Sequence, residues 1–168
     1  TEMEESFMWR ILLMVLRNFW KVPHAYWKLC HYAKHTDEYP ELEKWRHIQY
    51  ILKLAVTSGN IDLLSKGTEN IPQEGAFLLY GNHQGMFDVL TFLHTSPKPF
   101  AFVIKKEAKD IILLKQVINA TGSLPMDRED IRQSMQIINQ VAKEVKEGRN
   151  YIIFAEGTRS RNGNKLLD

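Results

Sequence analysis

The chain has 168 residues, 44% hydrophobic and 25% charged, with one cysteine and a formal net charge of +2 from 22 Lys plus Arg against 20 Asp plus Glu. These values suit one globular domain with a real core and exclude a disordered or collagen-like chain. The lone Cys30 excludes an internal disulfide framework or a Cys-based zinc cluster, and the balanced charge gives no argument for a nucleic-acid partner.

Residues 7–35 read as helix. Between Ser6 and Thr36 there is no acid, while Arg10, Arg17, Lys21, Lys28 and Lys34 stand among Phe7, Trp9, Phe19, Trp20, Tyr26, Trp27 and Tyr32. Two fates suit such a segment: lying in a membrane interface with its rings at headgroup depth, or packing its aromatics on the protein's own core. The apolar piece Ile11 to Leu16, flanked by Arg10 and Arg17, is far short of the roughly 18 to 20 residues that cross a bilayer. Glu2, Glu4 and Glu5, with no small-residue cleavage site beyond them, argue against a cleavable signal peptide.

A second helix is predicted over 41–57, where Leu42, Trp45, Ile48, Leu52 and Ala55 or Val56 recur at helical spacing and Pro40 suits the first turn. Ser58, Gly59 and Asn60 end it. The pattern then changes to the short β-like runs "IDLLSKG", "GAFLLYG" and "PFAFVIK", with Phe87 to Leu93 a helix between the last two. An amphipathic helix follows, with Ile131, Met135, Ile138, Ala142 and Val145 on one face, closed at Gly148 and followed by a last strand, "NYIIFAEG". The expected class is α/β, a mixed sheet covered by helices and preceded by an N-terminal amphipathic helical pair. Residues 1–60 are expected to form membrane-surface helices and 61–168 an α/β core. That core ends so abruptly at Leu166, Leu167 and Asp168 that truncation at the C-terminus is expected.

The stretch "LLYGNHQGMFDVL" places Asn82 and His83 directly after an apolar run, where the loop leaving a strand's C-terminal end carries function in α/β sheets. Five positions on one helix would put His83 and Asp88 roughly 140° apart, so they meet only if His83 lies in the turn before the helix. Asp88 would then accept a hydrogen bond from one ring nitrogen and leave the other free as a base. No Ser or Cys nucleophile lies nearby, so the hydroxyl would come from a substrate. A surface histidine, or the start of a metal site, remains open for the pair alone. Against metal, the other histidines, His24, His31, His35, His47 and His94, are scattered.

A second box, "FAEGTRS", also follows an apolar strand, and its Glu156, Gly157, Thr158 and Arg159 suit a tight turn that binds phosphate. Between the boxes, "GSLPMDR" runs from Gly122 to Arg128. Together the three stretches resemble the glycerolipid acyltransferases, in particular those acting on 1-acyl-sn-glycerol 3-phosphate (lysophosphatidic acid). Asn82, His83 and Asp88 match that family's NHxxxxD block; Gly122 and Arg128 match its glycine-to-arginine block; Phe154, Glu156, Gly157, Thr158, Arg159 and Ser160 match FPEGTRS, with Ala155 in place of the proline. "VIKKE" looks like the lysine-bearing stretch before the second block, which makes Lys105 a candidate.

The resemblance implies an enzyme of phospholipid biosynthesis that moves a fatty acyl group from acyl-CoA or acyl-carrier protein, as co-substrate, to the sn-2 hydroxyl of lysophosphatidic acid. His83 would be the base and Asp88 its orienting carboxylate. Asn82, Lys105, Arg128, Glu156, Gly157, Thr158 and Arg159 would bind substrate. No metal or other cofactor is expected, and the protein would sit on the cytoplasmic face of the cell membrane, peripheral or monotopic. A different acceptor, another lysophospholipid or glycerol 3-phosphate, is the alternative within this chemistry, and a non-catalytic lipid-binding module the alternative outside it.

Overall fold

The computed structural model describes residues 9, 12–81, 86–111 and 113–154. Residues 12–17 are helical and end in a turn over 18–21; the first long helix, α1, is Val22–Lys34. The single helix expected over 7–35 is therefore broken. Pro23 is the cause: it has no N–H to donate and belongs in a first helical turn, where it sits here. Helix α2 is Glu41–Ser58, one residue longer than predicted.

The described strands are β1 (Leu78–Gly81), β2 (Ala101–Lys105), β3 (Leu124–Met126) and β4 (Tyr151–Phe154), in the sheet order β1-β4-β2-β3. Every pairing among them is parallel. The α/β class is as expected, and an antiparallel member of the expected mixed sheet is not among the described residues. Helix α3 (Met86–Thr95) crosses from β1 to β2, α4 (Leu114–Thr121) from β2 to β3, and α5 (Ile131–Lys146) from β3 to β4. Neither α4 nor β3 stood out in the sequence. The run "IDLLSKG", read as a strand, is irregular over 61–67 and leads into a 3-10 turn, Thr68–Asn70.

One face of the sheet is covered by α1 to α4 around Leu29, Tyr32, Trp45, Ile48, Phe77, Leu93, Phe100, Phe102 and Ile152. Residues before and after position 60 thus share one core. The Trp45 ring meets Phe100 edge-on with centroids 4.6 Å apart, and Gln49 Nε2 donates to Ser96 O at 3.0 Å, tying α2 to the end of α3. The other face is covered by α5, through Ile137, Val141 and Val145 on Ala101, Val103 and Tyr151. The face predicted for α5 is rotated away from the sheet at its start, where Ile131, Met135 and Ile138 are exposed. Gln133 and Ser134 take the inward position because both bond the loop after β3.

The amino-terminal edge of the sheet is densely tied. The Asn150 side chain accepts from Phe77 N at 3.1 Å and donates to Pro99 O at 2.8 Å, so it fixes the entry of β4 between its two neighbours. Beside it, Arg149 donates to Glu144 Oε2 at 2.6 Å and to Thr121 O at 2.5 Å, and Tyr151 Oη donates to the same carboxylate oxygen at 2.5 Å. Gly122 closes α4 in the left-handed conformation, φ +63°, and a Cβ there would collide with the Arg149 guanidinium.

Candidate active site

The four described parallel strands point their carboxyl ends the same way, and the first and third motifs and the arginine of the second follow from that edge. Gly81 and Phe154 are register partners on neighbouring strands, which run about 4.8 Å apart in a sheet. The segments that continue from them begin with Asn82 and His83 on one side and with Ala155 and Glu156 on the other. Asn82 and His83, together with Glu156, Gly157, Thr158 and Arg159, lie outside the described residues.

Asp88 is described, in the first turn of α3. Phe92, one turn on and therefore on the same helix face, has its ring centroid 6.2 Å from that of Phe154 and would touch a Cβ built on Gly81 at 3.8 Å. Apolar packing of Phe92 under the ends of β1 and β4 thus brings the Asp88 stretch of α3 to that edge. A cleft of about 520 Å³ opens there, lined by Leu64, Lys66, Asn70, Leu79, Asp88 and Phe92 among others. Its outer wall is the irregular segment that sequence reasoning had assigned to a strand. A second cleft of about 500 Å³, between α1 and α2, is lined by Lys28, Tyr32, Arg46 and Tyr50 and holds none of the motif residues.

On the other half of the edge, Lys105 and Met126 are register partners at the ends of β2 and β3, and Arg128 follows two residues later. Lys105 and Arg128 are both exposed, and neither has a hydrogen bond or ion pair among the described residues. Lys106, indistinguishable from Lys105 by sequence pattern, is bonded instead to Asp127 Oδ2 at 2.6 Å. That bond holds the Asp127 carboxyl below the usual aspartate range and pushes the Lys106 ammonium above the usual lysine range. Gly122 lies at the opposite edge of the sheet, so the second block spans β3 with its glycine at one end and its arginine at the other. Glycine there is required by the fold, whereas the arginine is left exposed.

An acyltransferase family model matches residues 62–167. The chain belongs to the acyltransferase family. A 1-acyl-sn-glycerol-3-phosphate acyltransferase of Borreliella burgdorferi is 31% identical to this chain over 112 residues, 67% of this chain and 45% of that protein. One of Helicobacter pylori is 30% identical over 93 residues, 55% of this chain and 39% of that protein. The chain therefore matches less than half the length of these relatives. Its fold is shared with the crystal structure of the 1-acyl-sn-glycerophosphate acyltransferase PlsC from Thermotoga maritima, with a TM-score of 0.69 and 23% identity over 96% of this chain and 66% of that one.

Proposed function

We propose that this acyltransferase moves a fatty acyl group from acyl-CoA or acyl-carrier protein to the sn-2 hydroxyl of lysophosphatidic acid, forming phosphatidic acid. The observation that carries this reading is the register of Gly81 with Phe154: the base-bearing and the phosphate-binding segments start from neighbouring strand ends. In the proposed reaction His83 takes the proton of the lipid hydroxyl while Asp88 orients the imidazole. The oxygen attacks the thioester carbonyl directly, the carrier's thiolate leaves, and the imidazolium returns the proton to it. Arg159, with Asn82, Glu156, Gly157 and Thr158, positions the glycerol phosphate, and Arg128 and Lys105 complete the cationic side of the site. The test is acyl transfer by the full-length protein with lysophosphatidic acid and each donor. His83→Ala should lower kcat by about 10² to 10⁴, and an equal rate in that variant would sink the reading.

We further propose that the protein works at the surface of the membrane, as a peripheral protein of the cytoplasmic face. Residues 12–20 support this by being inside out. Arg17 donates to Ser58 O at 2.8 Å, so it caps the carboxyl end of α2, and Asn18 bonds the Ser58 hydroxyl and is buried. The apolar side faces outward instead, with Leu16 and Phe19 each 59% exposed and Trp20 88%. Trp27 on α1 is 62% exposed, whereas Leu29 and Tyr32 of the same helix are buried. Of the two fates weighed for this segment, Leu29 and Tyr32 pack on the core, while the exposed Phe19, Trp20 and Trp27 support the membrane one. No helix of the described residues is long and apolar enough to cross a membrane. Replacing Phe19 and Trp20 by serine should weaken co-sedimentation with anionic liposomes without shifting the thermal midpoint, and unchanged co-sedimentation would overturn this part.

A further inference from the structure

The loop that carries Arg128 is held at Asp127 and Pro125 by residues outside the motif. The Asp127 N–H donates to Gln133 Oε1 at 2.8 Å, and the Asp127 carbonyl accepts from Ser134 Oγ at 2.8 Å. Its carboxylate accepts from Glu129 N at 3.1 Å through one oxygen and from Lys106 Nζ at 2.6 Å through the other. Gln133 also donates to Pro125 O at 3.3 Å, and its own N–H is capped by Asp130 Oδ1 at 3.0 Å. Three elements, the exit of β2, the end of β3 and the first turn of α5, thus converge on the residue before Arg128.

Arg128 itself is exposed and uncommitted among the described residues. A long cation that must find a phosphate loses rotamer and backbone freedom on binding, and a backbone fixed beforehand reduces that loss. The paired lysines of "VIKKE" divide the work: Lys105 has no partner among the described residues at the strand end, while Lys106 is spent on the loop.

We propose that Lys106 and Gln133 are positioning residues for the lysophospholipid phosphate, acting through Asp127 on Arg128 and not touching substrate themselves. The inference rests on the reading of Arg128 as a phosphate ligand. The Lys106–Asp127 pair is partly solvated, with side-chain exposures of 44% and 26%, so removing it should leave the fold intact.

The test is a double-variant cycle on the full-length enzyme, reading KM for lysophosphatidic acid and for the acyl donor separately. Lys106→Met should raise KM for lysophosphatidic acid about tenfold, as for loss of one well-placed charge-assisted bond, with kcat and the donor KM within about twofold. Gln133→Leu should act in the same direction. Lys106→Arg, which keeps the ion pair, should restore most of the affinity. In an Arg128→Ala background Lys106→Met should add nothing. Independent multiplication of the two effects would overturn the proposal, because Lys106 would then be a ligand in its own right. So would a KM in Lys106→Met within twofold of the parent. An Arg128→Ala variant with unchanged KM would instead overturn the underlying reading of Arg128. Faster amide hydrogen exchange at Asp127 and Glu129 in Lys106→Met, with an unchanged thermal midpoint, is the accompanying physical signature.

Discussion

The two edges of the sheet use the same residue type in opposite ways. At the amino edge the Arg149 guanidinium is consumed by protein: Glu144, Thr121 O and Tyr151 Oη all lie within bonding distance, and Glu41 is 3.5 Å away. At the carboxyl edge Lys105 and Arg128 stand exposed, and what is bonded there is the backbone beneath them. An arginine whose donors are satisfied by the fold stabilises it and has little left for a ligand; one whose donors are idle on a fixed backbone costs stability nothing to remove. The contrast separates residues that hold the scaffold from residues that the proposed site would draw on, and it can be attacked from either end.

The largest effect on folding is expected at the amino edge. Arg149→Met would leave the Glu144 carboxylate without its cation and the Thr121 carbonyl without its donor, at a cost of about 2 to 3 kcal/mol. Urea unfolding should show it as a lower midpoint at constant m. Gly122→Ala imposes a left-handed φ on a residue with a Cβ and drives that Cβ into Arg149, so a loss of about 1 to 3 kcal/mol is expected. Neither change should alter KM for the lysophospholipid in the fraction that remains folded. A selective rise in that KM would break the division between the edges.

Arg128→Ala is the mirror experiment. Its unfolding free energy should stay within about 0.5 kcal/mol of the parent, as for an exposed side chain with no partner among the described residues, while KM for lysophosphatidic acid rises about tenfold or more. A destabilised Arg128→Ala would mean that the carboxyl edge is built like the amino edge.

Much of this division was legible in the sequence, and the reason it was not all legible is physical. The motif residues announced themselves because ligand chemistry needs particular groups after particular strands: Asp88 does lie in the first turn of α3, and Lys105 and Arg128 do lie at strand ends. The expected pairing of His83 with Asp88 involves a residue outside those described, as do the expected roles of Asn82, Glu156, Gly157, Thr158 and Arg159. Tertiary ties gave no local signal. Nothing in "GRNY" says that its arginine will fold back on Thr121, and nothing in "KKE" says which lysine finds Asp127. The start of α5 misled for the same reason, since Gln133 and Ser134 turn inward for hydrogen bonds that lie seven or eight residues back along the chain. The strand predicted at "IDLLSKG" failed because three aliphatics in seven residues carry no period that distinguishes a strand from a wall of a cleft.

The smallest expected effect is a pH dependence, and it too should distinguish the edges. Burial pushes the Glu144 carboxyl up, but the bonds from Tyr151, Gln140 and Arg149 outweigh it and hold the group below the usual glutamate range. A carboxyl lower in the folded than in the unfolded state contributes stability that is fully present above its unfolded pKa. As acid is added the unfolded chain takes up this proton first, so the contribution shrinks as pH falls below the ordinary glutamate range and is gone once the folded carboxyl is protonated. Tyr151 has the opposite sign: burial, then its bond to Glu144, raises the phenol. Its contribution is full below the usual tyrosine range and is lost only as pH rises through its folded value, well on the alkaline side. Stability measured from neutral pH downward should therefore fall with an acid limb that Glu144→Gln reduces, at the cost of a lower midpoint at neutral pH. Arg128→Ala should keep the acid limb of the parent, because Arg128 has no ionisable partner among the described residues. An acid limb unchanged by Glu144→Gln would assign it to other carboxylates and remove the Arg149 cluster as the source of the amino edge's pH response.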